Sequence, residues 1–201
     1  MNELRIFTVQ GEALSDYIEA IAALRIEVFR EWPYCYDGSI DYERRYLQSY
    51  IQSPSALVVI AETAGRIVGA STALPLIDAD PAFAQAFEGT SLPKEDIIYY
   101  GESVVLPAYR GRGIGAQFFQ TREAHASALG KKFATFCAIE RPPNNTRQPA
   151  NYRPLDSFWQ RQGFNKQPAI QATFDWREIG ETVECSHTLS FWIKELNTAT
   201  P

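Results

Sequence analysis

The 201-residue chain holds 45% hydrophobic and 21% charged residues and has a formal net charge of −5. This balance is typical of a globular protein, and we expect a single domain over residues 1–201. The acidic charge argues against nucleic acid as a partner, because a phosphate backbone binds to a basic face.

Membrane and metal-binding classes are also disfavoured. No apolar run approaches the roughly 20 residues that a membrane span needs, so we expect no membrane partner, and the first residues do not resemble a signal peptide. The three cysteines, Cys35, Cys137 and Cys185, are widely spaced, and the chain has two histidines. We therefore expect neither a disulfide framework nor a metal site, and a cytoplasmic location is the simplest reading.

The first half of the chain alternates between strand and helix patterns. Apolar periodicity predicts strands at 4–9, 57–61, 66–76 and 97–106 and helices at 15–29 and 41–51. Residues 77–95 contain two prolines and several acids, which indicates a loop with at most one short helix.

The second half continues with a helix at 113–129 that is closed by Gly130. The remaining patterns predict strands at 133–139, 172–176 and 183–193, a short helix at 156–162 and a loop at 141–154. This order predicts an α/β fold, in which a mixed sheet carries helices on both faces. Strands 97–106 and 133–139 should be parallel and joined by a right-handed crossover.

The turn between strand 97–106 and the following helix is the most informative segment. Residues 110–115 read Arg-Gly-Arg-Gly-Ile-Gly, so three glycines and two arginines stand where a helix opens. Backbone amides at such a helix start can hold anionic oxygens, and guanidinium groups add charge and donors. The alternative to a phosphate site is a purely structural one, in which the glycines shape a tight surface loop and the arginines are solvated. We favour a phosphate site, because three close glycines are entropically unfavourable in a purely structural turn.

Three phosphate-binding patterns are compared with this turn. A P-loop is excluded because no Gly-Lys-Ser/Thr follows. A dinucleotide fingerprint, Gly-x-Gly-x-x-Gly/Ala, is matched by Gly111, Gly113 and Ala116, with Glu140 as the acid after the next strand. However, four residues separate this string from its strand. A nicotinamide-dependent oxidoreductase is therefore a weaker alternative that stays open.

The third pattern is the acyl-CoA turn of the GNAT superfamily of N-acetyltransferases, which the chain resembles. Its signature is Arg/Gln-x-x-Gly-x-Gly/Ala after an apolar-Pro strand end, and residues 104–115 read Val-Val-Leu-Pro-Ala-Tyr-Arg-Gly-Arg-Gly-Ile-Gly. A second family signature, an aromatic pair before Gly-Phe, is similar to Phe158-Trp159 and Gly163-Phe164. Two signatures in the right order make this resemblance more specific than a lone Gly-x-Gly.

The resemblance implies a fold, a co-substrate and a reaction. The sheet would be mostly antiparallel with about seven strands and a splayed parallel pair at its centre. The wedge between the splayed strands would take the pantetheine arm of acetyl-CoA, with Val104 and Leu106 meeting the arm, and the turn would take the diphosphate. The expected cofactor contacts are Val104, Val105, Leu106, Arg110, Gly111, Arg112, Gly113, Ile114, Gly115 and Ala116.

Two residues are candidates for the chemistry of acetyl transfer to a primary amine. Strand alternation would place Tyr100, Glu102 and Val104 on one face, with Glu102 as general base or as a structural carboxylate. Many relatives have a Tyr where this chain has Trp159, and indole is no acid near neutral pH. Tyr152 could protonate the departing thiolate instead, or the thiolate could leave unaided.

The identity of the acceptor is not encoded in any motif. Loops 30–40, 77–95 and 141–154 are expected to shape its pocket, and a small-molecule or peptide amine is the implied partner. Because Trp159 stands where many relatives have a tyrosine, a non-catalytic protein that senses CoA by binding it is an alternative that stays open. Dimerisation is common in the family that the chain resembles, so a homodimer is an open alternative.

Overall fold

A computed structural model describes residues 3–196 of the chain. The strands are β1 Leu4–Val9, β2 Leu57–Thr63, β3 Arg66–Pro75, β4 Ile97–Tyr99, β5 Ser103–Val105, β6 Phe133–Ile139, β7 Asn165–Arg177 and β8 Glu184–Glu195. The α-helices are α1 Ile18–Phe29, α2 Ile40–Gln52, α3 Pro81–Gln85, α4 Ile114–Ala128 and α5 Asp156–Arg161. Among residues 3–196, none of the helices has the length and hydropathy that a membrane span requires.

The strands form one eight-stranded sheet in the order β1-β2-β3-β4-β6-β8-β7, with β5 also paired to β3. All pairs are antiparallel except β4 with β6. This confirms the predicted class, a mixed and mostly antiparallel sheet with one parallel pair at its centre. Helices lie on both faces of the sheet. Tyr99 and Tyr100 are adjacent in the chain and point to opposite faces, and Tyr99 stacks on Phe83 of α3 while Tyr100 packs against Phe119 of α4.

The predicted strand 97–106 is in fact two short strands separated by residues 100–102. The break also overturns the expected common face of Tyr100 and Glu102. Tyr100 packs against α4, whereas the Glu102 carboxylate pairs with Arg25 of α1 on the opposite face. An irregular residue in a strand reverses the alternation of side chains, as in a β-bulge.

The same break opens the parallel pair. β4 is paired with β6 from Ile97 to Tyr99, and the Tyr100 amide still donates to the Thr135 carbonyl at 2.8 Å. Beyond this point β5 pairs with β3, and β6 pairs with β8. Within residues 3–196 no backbone pairing joins β5 to β6, so the expected splay at the centre of the sheet is present.

The two long helices of the first half bury their apolar sides against this sheet. In α1, Ile18, Ile21 and Leu24 are buried at helical spacing, as the periodicity predicts. The preceding residues 11–17 form a 3-10 turn rather than the first turn of this helix. In α2, Ser39 caps the start by accepting from the Tyr42 amide, which fixes where the helix begins.

The final hairpin is longer than the sequence pattern indicates. The predicted strand 172–176 starts seven residues earlier, at Asn165, because a register shift between Gln167 and Gln171 interrupts the alternation. Its tip is joined to the loop between α1 and α2. The Asp37 amide donates to the Arg177 carbonyl and the Ile179 amide to the Cys35 carbonyl, so this loop extends the edge of the hairpin.

Candidate active site

The glycine turn before α4 has the shape of an anion cradle. Gly111 and Gly113 have φ of +74° and +82°, a backbone region that other residues adopt only with strain. A Cβ on either glycine would meet nothing within 4 Å, so the space above both is open. Gly113 caps α4 without a side-chain hydrogen bond, which leaves the first amides of the helix for an external acceptor.

The two arginines of the turn are held by local contacts. Arg110 donates from Nε to the Val105 carbonyl at 2.9 Å and pairs with Glu31 at 2.8 Å. Arg112 donates to the Ala108 carbonyl at 2.9 Å, and its guanidinium lies 5.1 Å from the centre of the Tyr109 ring. Both side chains are exposed. A phosphate at this turn would therefore have to draw them from these contacts.

The aromatic pair of the second motif, Phe158 and Trp159, packs beneath α4, the helix that begins at the glycine turn. The Phe158 ring lies 3.4 Å from the position of a Cβ on Gly115, in ordinary van der Waals contact. Phe158 and Phe164 also pack edge-on against Phe119 of α4. The motif thus links α5 to the helix that the turn opens, and Trp159 packs against Phe136 in the same layer.

The gap between β5 and β6 exposes backbone groups. The Leu106 amide donates to the Val68 carbonyl, and the Glu102 carbonyl accepts from the Thr72 amide. These even-numbered residues therefore direct their backbone groups toward β3. By the two-residue alternation of a strand, Ser103 and Val105 direct theirs into the gap. This differs from the expectation that Val104 and Leu106 meet a ligand arm there, because their backbone is engaged with β3.

Glu102 lies in a buried network of charged and phenolic groups. Its Oε2 is 2.5 Å from Arg25 Nη1 and accepts from the Tyr46 hydroxyl at 3.1 Å. Arg25 Nε also pairs with Glu43, which is fully buried in α2. Arg25 and Glu102 are 7% and 5% exposed. Two buried carboxylates thus share one guanidinium, and Oε1 of each carboxylate has no hydrogen-bond partner among the described residues.

A glycine lets this network approach the strand break. A Cβ on Gly101 would lie 2.0 Å from the Tyr50 hydroxyl and 2.6 Å from Thr72 Oγ1. No side chain fits in that space. Gly101 therefore leaves room for the Tyr50 hydroxyl, which lies 3.0 Å from the Tyr46 hydroxyl that donates to Glu102.

A second buried arginine, Arg122 of α4, lies on the other face of the break and is 1% exposed. It donates to the carbonyls of Thr72 and Glu102 at 3.3 and 3.2 Å and to Ser103 Oγ at 2.8 Å. No carboxylate of the described residues pairs with it. Burial lowers its pKa to about 10, although Tyr100 and Glu102 oppose the shift. Arg122 thus fixes Glu102 and Ser103 where the strand is interrupted.

Tyr152 does not contact the Glu102 network in this structure. Its ring meets Trp32 edge-on, with ring centres 6.2 Å apart, and the side chain is half-buried. Burial and the nearby Asp156 carboxylate raise the pKa of its phenol. Tyr152 therefore belongs to a wall in which the loop 141–154 covers the loop 30–39.

Arg141 ties this wall together. It donates to the carbonyls of Pro33 and Tyr34 at 2.7 and 3.1 Å and to Glu178 at 2.6 Å. Glu178 is 6% exposed and also receives Arg147. Both arginines belong to the loop 141–154 that was expected to shape the acceptor pocket, but their partners could not be predicted because they lie more than thirty residues away in the chain.

The hairpin brings Glu178, Cys185 and His187 together beside this wall. His187 Nε2 is 3.3 Å from Cys185 Sγ, and its ring stacks on Trp176 with centres 3.6 Å apart. Burial and Arg141 lower the pKa of His187, against the effect of Glu178. Both Glu178 oxygens are bonded to arginines, which disfavours a cation at this cluster.

The comparisons with known proteins agree with this architecture. The Acetyltransferase (GNAT) family matches residues 21–164, and the chain belongs to this family. No curated protein matches the sequence. Similar solved structures include an N-acetyltransferase from Staphylococcus aureus Mu50, with 17% identity, coverage of 97% of this chain and 99% of that chain, and a TM-score of 0.59.

Two further structures have the same fold. A protein from Salmonella typhimurium, described as a candidate acetyltransferase with its cofactor acetyl-CoA, is 14% identical and covers 100% of this chain and 98% of its own, with a TM-score of 0.58. A ribosomal-protein-alanine N-acetyltransferase from Brucella melitensis is 16% identical and covers 96% of this chain and 99% of its own, with a TM-score of 0.59.

Membership of the GNAT family argues against the dinucleotide interpretation of Gly111, Gly113 and Ala116. The structure gives the physical reason. A dinucleotide turn lies at the carboxyl end of a strand within a parallel sheet. Here the strand that leads into the turn, β5, pairs only with the antiparallel β3 among the described strands.

Proposed function

We propose that the protein transfers an acetyl group from acetyl-CoA to a primary amine by direct attack of the amine on the thioester. The observation that carries the proposal is the open glycine turn beside a gap into which β5 directs backbone groups that pair with no neighbouring strand among the described residues. The turn supplies free amides at the start of α4, and the gap supplies the backbone of Ser103 and Val105. These two features suit the two ends of an acyl-CoA molecule.

The chemistry of the residues present supports binding of this co-substrate, although the Val105 carbonyl would have to exchange its bond from Arg110 for one from the ligand. The diphosphate would bind amides of residues 110–116, where Gly111 and Gly113 leave open space. The pantetheine arm, which carries amide groups, would pair with Ser103 and Val105 as an added partial strand. The side chains of Val104 and Leu106 are buried and shape the floor. Binding both substrates together supplies proximity, so no covalent intermediate on the enzyme is needed.

Glu102 is the proposed general base. The amine must lose a proton to attack the thioester carbonyl, and the Glu102 carboxylate lies at the end of β5 where the gap begins. Its Oε1 is buried and has no partner among residues 3–196, whereas Oε2 is held by Arg25 and Tyr46. One oxygen is thus fixed, and the other would accept the proton through a water molecule. The C–N bond forms as the C–S bond breaks, and the thiolate takes up a proton from solvent.

The thiolate is proposed to leave without an acid from the protein. A thiol with a pKa near 8.5, if CoA resembles cysteine, is a tolerable leaving group. Tyr152 was the candidate acid, but its raised pKa and its packing against Trp32 favour a role in the wall of the acceptor side. Trp159 packs in the aromatic layer and has no proton to give near neutral pH.

A glycine pair tests the binding part of the proposal. Gly113→Ala adds a methyl group to the cradle at a positive φ, with a strain of roughly 1–2 kcal/mol. Gly130→Ala is the matched control, because Gly130 also has a positive φ, +67°, and open space but lies at the far end of α4. We expect similar losses of stability and a weaker CoA affinity, about tenfold or more, for Gly113→Ala alone. Equal CoA affinities in calorimetry would contradict the assignment of the turn.

Glu102→Gln separates an enzyme from a CoA-binding sensor. We expect turnover with an amine library, measured as thiol release, to fall about 10²- to 10⁴-fold, as for loss of a general base. CoA binding should be unchanged, because the backbone groups of the gap remain. Equal turnover of variant and parent from pH 6 to 9 would overturn the role of Glu102. Tight CoA binding of the parent with no turnover across the library would favour the sensor.

A further inference from the structure

A cavity lies between α2 and α3, on the same face of the sheet as the Glu102 carboxylate. Its volume is about 280 Å³. The floor is aromatic, with Tyr46, Tyr50, Phe83 and Tyr99. Tyr50, Phe83 and Tyr99 are almost fully buried, and Phe83 stacks on Tyr99 with ring centres 4.3 Å apart. We refer to this cavity as the α2–α3 pocket.

The mouth of the α2–α3 pocket is polar and carries charge of both signs. Asp78, Asp80 and Arg45 line it, and all three are exposed. Asp78 accepts from the Ser53 hydroxyl at 2.6 Å, and Asp80 caps α3 by accepting from the Ala82 amide at 2.9 Å. Each carboxylate uses one oxygen in these contacts, and the other has no partner among residues 3–196. Arg45 makes no ion pair within the same residues.

The charged groups at the mouth determine which charge the pocket favours, because the Phe83 and Tyr99 rings stack on each other and Arg25 covers the Tyr46 ring. The rings therefore supply an apolar floor. At the mouth two carboxylates outweigh one guanidinium that can turn to solvent. A flexible chain with a cationic end would place its methylene groups against the rings and its charge beside Asp78 and Asp80.

Tyr46 connects this pocket to the proposed reaction site. Its ring lines the pocket, and its hydroxyl donates to Glu102 Oε2 at 3.1 Å. The guanidinium of Arg25 lies 4.2 Å from the centre of the same ring, which fixes the side chain from the other side. The pocket and the carboxylate are thus separated by about one aromatic side chain.

We propose that the α2–α3 pocket holds the distal part of the acceptor, and that the acceptor is a flexible aliphatic amine with a second cationic group. This inference rests on the proposed function, because the first amine must reach Glu102 and the thioester. The net charge of −5 agrees with it, since an acidic protein attracts a cationic substrate.

Three probes of equal length separate the alternatives. They are 1-aminobutane, 1,4-diaminobutane and 4-aminobutanoate, whose far ends are apolar, cationic and anionic. Each is titrated by calorimetry into the full chain saturated with CoA, so that no turnover interferes. We expect 1,4-diaminobutane to bind about tenfold more tightly than 1-aminobutane, and 4-aminobutanoate to bind most weakly.

The variant Asp78→Asn/Asp80→Asn removes the charges and keeps the two hydrogen bonds, because an amide oxygen accepts as a carboxylate oxygen does. It should bind both amines equally. The matched control is Glu12→Gln/Asp16→Asn, which removes two exposed charges outside the pocket. This control should keep the preference for the diamine.

Binding and turnover distinguish failure of the pocket from failure of the proposed function. Equal affinities for the two amines, tighter binding of 4-aminobutanoate, or a preference that survives in the Asp78/Asp80 variant would each overturn the pocket assignment. Thiol release from acetyl-CoA with 1,4-diaminobutane is measured separately. Tight diamine binding without thiol release would support the pocket and contradict acetyl transfer.

Discussion

Replacement of Arg122 tests how the break in the central strand is maintained. Arg122→Met removes three hydrogen bonds at the break and one to the Phe118 carbonyl at 3.2 Å. Hydrogen bonds to charged groups contribute about 1.5–3 kcal/mol each. The Thr72 and Glu102 carbonyls keep backbone donors at 3.2 Å, and loss of an unpaired buried charge is partly favourable. We therefore expect the free energy of unfolding to fall by about 2–4 kcal/mol, well below the sum.

The thermal and catalytic results should differ between two variants. For a chain of this size, 1 kcal/mol shifts Tm by roughly 2–4 °C, so Arg122→Met should lower Tm by about 4–16 °C in calorimetry. Its kcat should fall about tenfold or more, because Ser103 and the Glu102 backbone lose their fixed position. Arg122→Lys keeps the charge but offers fewer directed donors, and it should lie between the parent and Arg122→Met in both quantities. A full loss of stability with an unchanged kcat would refute a role in positioning.

Three further predictions follow from individual contacts. Gly101→Ala should destabilise the fold by about 2 kcal/mol or more through overpacking. Adding Tyr50→Phe to this variant should partly restore stability, because it removes the hydroxyl that lies 2.0 Å from the added Cβ. Chemical denaturation of the two single variants and the double variant measures this coupling. Tyr152→Phe should change kcat by less than about threefold, and a loss of several hundredfold in thiol release would instead make Tyr152 the general acid. The lowered pKa of His187 means that the folded state favours the neutral ring, so the unfolded chain binds more protons below pH 6.5 and the free energy of unfolding falls as the pH decreases. Chemical denaturation from pH 7 to 5 should show a smaller fall in this free energy for His187→Gln than for the parent. Identical slopes of stability against pH for the two proteins would contradict the assignment.

The glycine turn could be predicted from sequence because its signals are local. Positive φ at Gly111 and Gly113, the absent side-chain cap and the start of α4 one residue later all depend on neighbours in the chain. The aromatic pair at Phe158 and Trp159 was likewise recognised by spacing. Its packing against α4 required the fold.

The break in the central strand could not be predicted from the same pattern. Residues 97–106 read as one continuous strand, and Gly101 was the single local signal. The atoms that require a glycine there belong to Tyr50 and Thr72, which lie 51 and 29 residues earlier in the chain. Periodicity reports which face a side chain takes, but an inserted irregular residue reverses that face without changing the composition.

The buried charges were also missed, although a signal existed. Arg25 follows Leu24 on the apolar side of α1, and Glu43 lies with Leu47 on the apolar side of α2. A charged residue at such a position predicts a buried partner. The partner cannot be assigned without the packing of the helices, since Glu102 comes from the break between β4 and β5, more than fifty residues later.

The contact between Arg141 and the loop 30–39 has a consequence for folding during synthesis. The carbonyls of Pro33 and Tyr34 cannot be bonded by Arg141 until the ribosome has added more than a hundred further residues. Glu178, which holds Arg141, emerges later still. During translation the wall formed by the loops 30–39 and 141–154 therefore acquires its full set of contacts only after the last hairpin of the nascent chain has been made.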